Sequence, residues 1–489
     1  MPERVTTAES SAVQISRAPV HIDSQSAPQK PRAIGARALS LTSNFVWTFA
    51  GNGIYALCQW AAIVCLAKLG SVEMVGVFAL ALAITNPITF LANLQLRVLY
   101  VTDQESKYPF GEILGLRLML GAVAFVIMVA VCRAAGYSQN TTAVIMLVGV
   151  AFLIDSISEN YYAIAQRRER MDRIALSQIF RGFLAVAALA LIVRFTGNLA
   201  WAALGLVIGR ILVFLTFDSA RKTFNLAGSE SPLETSGKSE STSFWKRVVP
   251  QWNLRNQMRM LWVAIPLGIA SILISVNINM PRYFIEHFRG PHELGIFSAL
   301  TYIPTAMMMV ATALGYAVFT PLSKMYSQGQ VRKFKVLVAK IVAFCAAVGA
   351  VGLVICAFAG HRILLILYRP EYAEHLQLLL WLVVWGSIGA VAAILGYAMT
   401  ATSHFREQVP LFSAVTLSSM VACYFLVPRF GGLGGAFAAL LAIVVQLIGT
   451  GFVIFRALQL RSREIKADPV LWRRRLDVEV SKVGLEISS

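Results

Sequence analysis

Arg117, Arg181 and Arg210 stand inside long apolar runs, each roughly 10 Å from one end when depth is counted along a helix. Asp155 and Glu159 share another such run at roughly 12 and 6 Å, one helical turn apart on one face. Tyr162 follows about a turn shallower on that face. An ionised side chain is costly in hydrocarbon, so residues of this kind face a partner, a cavity or both. Three cations bracketed in depth by two carboxylates can neutralise one another as an ion-pair staple. Arginines turned toward a cavity can instead receive an anion, and the planar guanidinium fork suits phosphate through paired hydrogen bonds. The two carboxylates can also serve proton or sodium coupling. All three readings are open on the residues alone. Arg97 and Arg282 differ, because each sits on a polar stripe without an evident acidic partner. They are the stronger candidates for anion contact, Arg97 near the inner mouth of a cleft and Arg282 near the outer.

The runs that hold these residues dominate the chain. Of 489 residues 57% are hydrophobic and only 14% charged, against about a quarter charged in soluble domains. Twelve stretches reach the roughly 20 residues needed to cross a bilayer as helices. They cover 44–69, 74–96, 111–132, 141–163, 175–195 and 199–217 in the first half, and 261–285, 294–319, 337–360, 376–402, 409–427 and 433–455 in the second. The fold class is therefore an all-α polytopic membrane protein. The net charge of +18 gathers in alternate connecting stretches rather than in one patch. By the positive-inside rule this puts both termini in the cytoplasm, and it points to anionic lipid headgroups rather than nucleic acid as the basic partner. The six cysteines lie in or at the ends of spans and read as packing residues.

Polar residues at helical spacing mark the face each span turns inward. The first span carries Asn44, Thr48, Asn52, Tyr55 and Gln59, and the second Asn86, Thr89, Asn93 and Arg97. The seventh carries Ser271, Ser275, Asn279 and Arg282, and the eighth Ser298, Tyr302, Thr305, Thr312 and Tyr316. Asn52, Asn93 and Asn279 are expected to line a shared polar cleft, with Pro87 and Pro304 kinking two of its walls.

The two hairpins are also repeats. Gly70, Glu73, Gly76 and Phe78 recur about 220 residues later as Gly290, Glu293, Gly295 and Phe297. The chain thus divides into a disordered cytoplasmic tail (1–43), a six-helix lobe (44–217), a cytoplasmic linker (218–259), a second six-helix lobe (260–456) and a basic tail (457–489). The first tail has no apolar signal-peptide core. In the linker, Gly237-Lys238-Ser239 ends like a phosphate loop, but Pro232 stands where its first glycine belongs.

Gly51-Asn52-Gly53, the turn LGSVEMVGVFALALA and the segment NYYAIAQRRERMDRIALSQIFRG resemble the bacterial polysaccharide transporter family. That family comprises the O-antigen and exopolysaccharide flippases of the multidrug/oligosaccharidyl-lipid/polysaccharide exporter superfamily. The resemblance implies two six-helix lobes in the bacterial inner membrane. It also implies a polyprenyl-diphosphate-linked oligosaccharide as substrate, turned from the cytoplasmic to the periplasmic leaflet, with polysaccharide polymerase and export machinery as partners. A non-enzyme without cofactor or metal is expected, since no catalytic constellation is apparent. A multidrug antiporter would place an acid among the lining spans, a lipid II flippase would commonly add two C-terminal helices, and a scaffold would leave the stripes dry.

Overall fold

A computed structural model describes residues 39–102, 108–219, 249–402 and 407–467. The expectations for residues 1–38, for the linker core 220–248 with its phosphate-loop look-alike, and for 468–489 lie outside the described residues.

Each helix begins and ends where local chemistry allows. α1 (Leu41–Leu69) starts at Ser40, whose hydroxyl accepts from the Ser43 N–H, and α2 (Val72–Asn93) starts at Ser71, which does the same for Met74. α3 (Leu96–Thr102) is short. α4 (Phe110–Ala135) ends on Gly136 and α6 (Met171–Thr196) on Gly197, while α5 (Gln139–Arg167) runs between them. α7 (Leu199–Val213) loosens into a π-helical turn, Phe214–Asp218.

The second half uses fewer, longer helices. α8 (Leu254–Ser327) is interrupted at Gly290, and α12 (Gln408–Ala467) at Gly431, both with left-handed backbone that favours glycine. Each is a hairpin. In α8, Arg282 and Ile278 line one cavity with Phe297 and Tyr302. In α12, Gly434 lies against the main chain of Leu426, and Gly449 against Leu411. Between the hairpins come α9 (Val331–Leu367), α10 (Pro370–Ala373) and α11 (Leu376–Ala401). Among the described residues ten helical segments are long and apolar enough to span a membrane, and two of these are the hairpins.

The second span departs from the sequence reading at its C-terminal end. Leu94 and Gln95 are both left-handed (φ 34° and 56°) and break it before α3. Non-glycine residues adopt this conformation at a cost of roughly 1–2 kcal/mol each. Leu94 is buried against Gly268 of α8, and the Gln95 amide donates to Ser271 at 3.3 Å, so contacts hold the break in place.

The largest apolar cluster joins both halves at the end of the limbs that holds Gly76 and Gly295. Leu66, Val75 and Phe78 pack in it with Leu294, Phe297, Tyr368 and Leu379. α2 and α8 cross there at the glycines whose repetition the sequence shows. A Cβ on Gly76 would come 1.8 Å from the Pro291 carbonyl oxygen, and one on Gly295 2.1 Å from that of Val72. Only hydrogen side chains permit this approach.

The end of the linker is part of the first lobe's packing. The Gln251 N–H donates to the Gly111 carbonyl at 2.9 Å. The Gln257 side chain, fully buried, donates to the carbonyls of Glu112 and Gln251. Asn253 and Asn256 both reach the Glu112 carboxylate. Trp252 remains exposed beside them.

Candidate functional site: a cationic cleft between the lobes

The first lobe holds its charges in a connected network. Asp155 on α5 accepts from Arg181 of α6 at 2.8 Å and from Arg210 of α7. Arg181 also pairs with Asp218, whose other oxygen accepts from Ser177 at 2.6 Å. Ser177 in turn meets the Tyr162 hydroxyl at 2.7 Å. Arg181 lies over the Tyr162 ring at 5.2 Å, and Arg97 lies over the same ring at 5.7 Å. For Arg181 and Arg210 the staple is therefore what the structure shows.

Asp218 was expected in the linker, yet its side chain is 1% exposed and completes this network. The π-helical turn carries it there. The one signal available in the sequence was an acid abutting an apolar run.

Arg97 also requires correction. It has an acidic partner, donating to Glu159 at 2.9 Å and to Gln166 at 2.7 Å. The stripe arithmetic failed because Arg97 lies on α3, beyond the Leu94–Gln95 break, and so turns toward α5.

Arg117 and Arg282 have no carboxylate within 4 Å among the described residues. Arg117 of α4 is buried, 2% exposed, and donates to Asn93 at 3.1 Å and to the Ser156 main-chain carbonyl. Arg282 of α8 donates to the Asn279 carbonyl oxygen at 2.6 Å, and Asn279 is itself tied to the Ser275 carbonyl at 2.9 Å. The Nε atoms of both arginines are buried without a partner.

Two cavities open beside these groups. One of about 220 Å³ is lined by Tyr55, Asn86, Asn93, Asp155, Glu159 and Arg181, among others. The other, about 200 Å³, lies in the second lobe against Arg282, Thr301, Tyr302, Thr305 and Trp385. Tyr55 accepts from Arg210 at 3.5 Å, and Tyr302 lies within electrostatic reach of both Tyr55 and Arg282. One tyrosine from each cavity, Tyr55 and Tyr302, thus lies near the other. Of the three asparagines expected to line a shared cleft, Asn93 borders one of these cavities. Asn279 is buried and positions Arg282, while Asn52 is exposed on α1 and borders neither cavity.

The profile of the family described as "Polysaccharide biosynthesis protein" matches residues 41–327, more than half of the chain. The chain belongs to that family. It is 25% identical over 411 residues to the capsular polysaccharide biosynthesis protein CapF of Staphylococcus aureus, covering 83% of this chain and 98% of CapF. Its fold is similar to that of solved MATE transporters. An inward-facing multidrug resistance MATE transporter of the MOP superfamily aligns with a TM-score of 0.56 and 11% identity, over 88% of this chain and 97% of the transporter. A MOP superfamily transporter from Pyrococcus furiosus, described as having a binding pocket of reverse polarity, aligns at 0.55 and 13%, over 86% and 95%. Family and fold together make the chain a multi-pass membrane protein of the polysaccharide biosynthesis family with a MATE-like fold.

Proposed function

We propose that this protein is a flippase that carries a polyprenyl-diphosphate-linked oligosaccharide from the cytoplasmic to the periplasmic leaflet of a bacterial inner membrane. The product would feed capsule, exopolysaccharide or O-antigen assembly. One observation carries the reading. Beside two cavities five arginines accompany three carboxylates, and the two arginines with no carboxylate within 4 Å among the described residues, Arg117 and Arg282, come from α4 and α8. A diphosphate supplies the missing negative charge, and guanidinium forks match its oxygens.

The carboxylates that remain are committed. Asp155 holds two arginines, Asp218 one, and Glu159 one. None is left as a counter-ion for a cationic drug, which distinguishes this cleft from one built for multidrug export. Asn86, Asn93, Thr305 and the two tyrosines offer hydrogen bonds to sugar hydroxyls, while the polyprenyl tail stays in the bilayer. Transport needs the cleft to open alternately on either side, and the outer cluster closed at Gly76 and Gly295 is the seal that must part.

The test is the Arg282 series. Arg282→Gln is expected to leave protein levels normal and to lower polysaccharide output about tenfold or more, since a hydrogen bond to a charged group contributes about 1.5–3 kcal/mol. Arg282→Lys should restore part of it, keeping the charge and losing the fork. Wild-type output from Arg282→Gln at equal expression overturns the assignment.

A further inference from the structure

The outer seal contains a titratable triad that the transport path does not use. His292, the second residue of the second α8 limb, lies 2.7 Å from the Glu371 carboxylate of α10 and 3.9 Å from that of Glu73 in α2. Glu371 belongs to the same half as His292, whereas Glu73 belongs to the other. All three side chains are about half exposed, at 45–52%, so protons reach them from the outer face.

Repeat symmetry makes the arrangement more telling. The repeat mate of Glu73 is Glu293, which is occupied structurally. Its carboxylate accepts the Gly432 N–H at 2.7 Å and closes the turn of α12, with Arg289 at 3.9 Å. Glu73 instead bonds Ser71 and its own main chain at the start of α2, and its carboxylate also lies across the interface from His292. Two basic groups near the triad are engaged with main chain. Lys68 donates to the Ile366 carbonyl at 2.6 Å and Arg369 to that of Lys68 at 2.9 Å. Tyr372 packs nearby, Glu286 faces Tyr137, and His287 sits beside Phe288. Four of the six histidines of the chain (His287, His292, His361 and His375) lie at this end.

We propose that His292 is a proton site that locks the outer gate. Protonated, it carries a positive charge between carboxylates of the two lobes and draws them together. Deprotonated, it loses its attraction for Glu73 and the seal loosens. Separation of the lobes parts His292 from Glu73 but not from Glu371, so a positive charge on His292 favours the closed state. By linkage the proton then favours the closed state: external acid holds the gate shut and returns the cleft to the inner side. Histidine is the side chain suited to this, because its charge changes near neutral pH. The inference rests on the transport reading for its purpose but not for its measurement.

Spin labels at Gln139 and Arg362, exposed at the outer ends of the two halves, report the gate directly by pulsed electron–electron resonance. The protein is reconstituted in nanodiscs without substrate, in a background where the six native cysteines are replaced. Raising the pH from 5.5 to 8.5 should increase the population with long distances about two- to fivefold, the range of a half-exposed ion pair. His292→Gln should abolish that response and His292→Arg should keep the short distance throughout. Glu73→Gln should behave as His292→Gln, which separates the contact between lobes from the one to Glu371. A wild-type gate indifferent to pH, or a His292→Gln protein that responds as wild type does, overturns the proposal. Either result leaves the Arg282 assignment standing, because that one is read from polysaccharide output.

Discussion

Removing the Asp155 charge tests the network that holds the first lobe. In Asp155→Asn, Arg181 keeps Asp218, but Arg210 keeps only the Tyr55 hydroxyl at 3.5 Å. The side chains of Arg210 and Arg181 are 10% and 5% exposed, so little water can compensate the orphaned cation. Breaking a buried pair in this way costs about 3–5 kcal/mol. For a folding unit the size of one lobe that corresponds to a fall in melting temperature on the order of 10 °C. The assay is thermal unfolding of detergent-purified protein, followed by loss of the monodisperse peak, together with steady-state accumulation in the membrane. The control is a double variant, Asp155→Leu with Arg210→Met, which removes carboxylate and orphan together and leaves Arg181 paired with Asp218. It should recover most of the loss, since apolar replacement of a buried pair is often neutral. If Asp155→Asn melts as wild type does, or if the double variant is no better than the single one, the staple does not carry the stability assigned to it.

Other outcomes follow from the same contacts. Asp218→Asn should destabilise less than Asp155→Asn, because Arg181 retains Asp155; equal losses would show that Asp218 dominates. Gly76→Val should push the outer ends of the lobes apart, since even a Cβ would overlap the Pro291 carbonyl, and the Gln139–Arg362 label distance should lengthen at every pH. In a background lacking the native cysteines, a thiol placed at Asn93 or Thr305 should react with small polar reagents and one placed at Asn279 should not, because Asn279 is 3% exposed. A reporter fused after Ser489 should behave as cytoplasmic, and a periplasmic signal would contradict the charge-based topology.

The helical limbs were legible because their signal is length and composition: a run of about 20 apolar residues has few alternatives. The repeat was legible too, and Gly76 and Gly295 proved to be the residues that let α2 and α8 touch. Side-chain directions were legible only while the helix stayed regular. Asn93 keeps its place on the stripe, but two left-handed residues later Arg97 turns to Glu159, and no residue type in Leu94-Gln95 announces that conformation. Asp218 was missed for a related reason, since a π-helical turn extends the last span by residues that read as linker. Arg282 was read as lacking an acidic partner from the absence of acids in its span, and the structure agrees. That Asn279 would be spent on holding it, rather than on the cleft, depends on a contact that polarity alone does not specify.

Reconstituted translocation tests the central claim most directly. Liposomes containing the purified protein receive a fluorescent polyprenyl-diphosphate oligosaccharide in one leaflet, and its arrival in the other is followed by quenching with a membrane-impermeant reagent. Wild-type protein is expected to move the lipid well above the protein-free rate, and Arg282→Gln at equal reconstitution to lose about tenfold or more of that excess. Wild-type liposomes that match protein-free ones, or an Arg282→Gln protein that translocates as wild type does, would contradict a cleft built to carry a diphosphate.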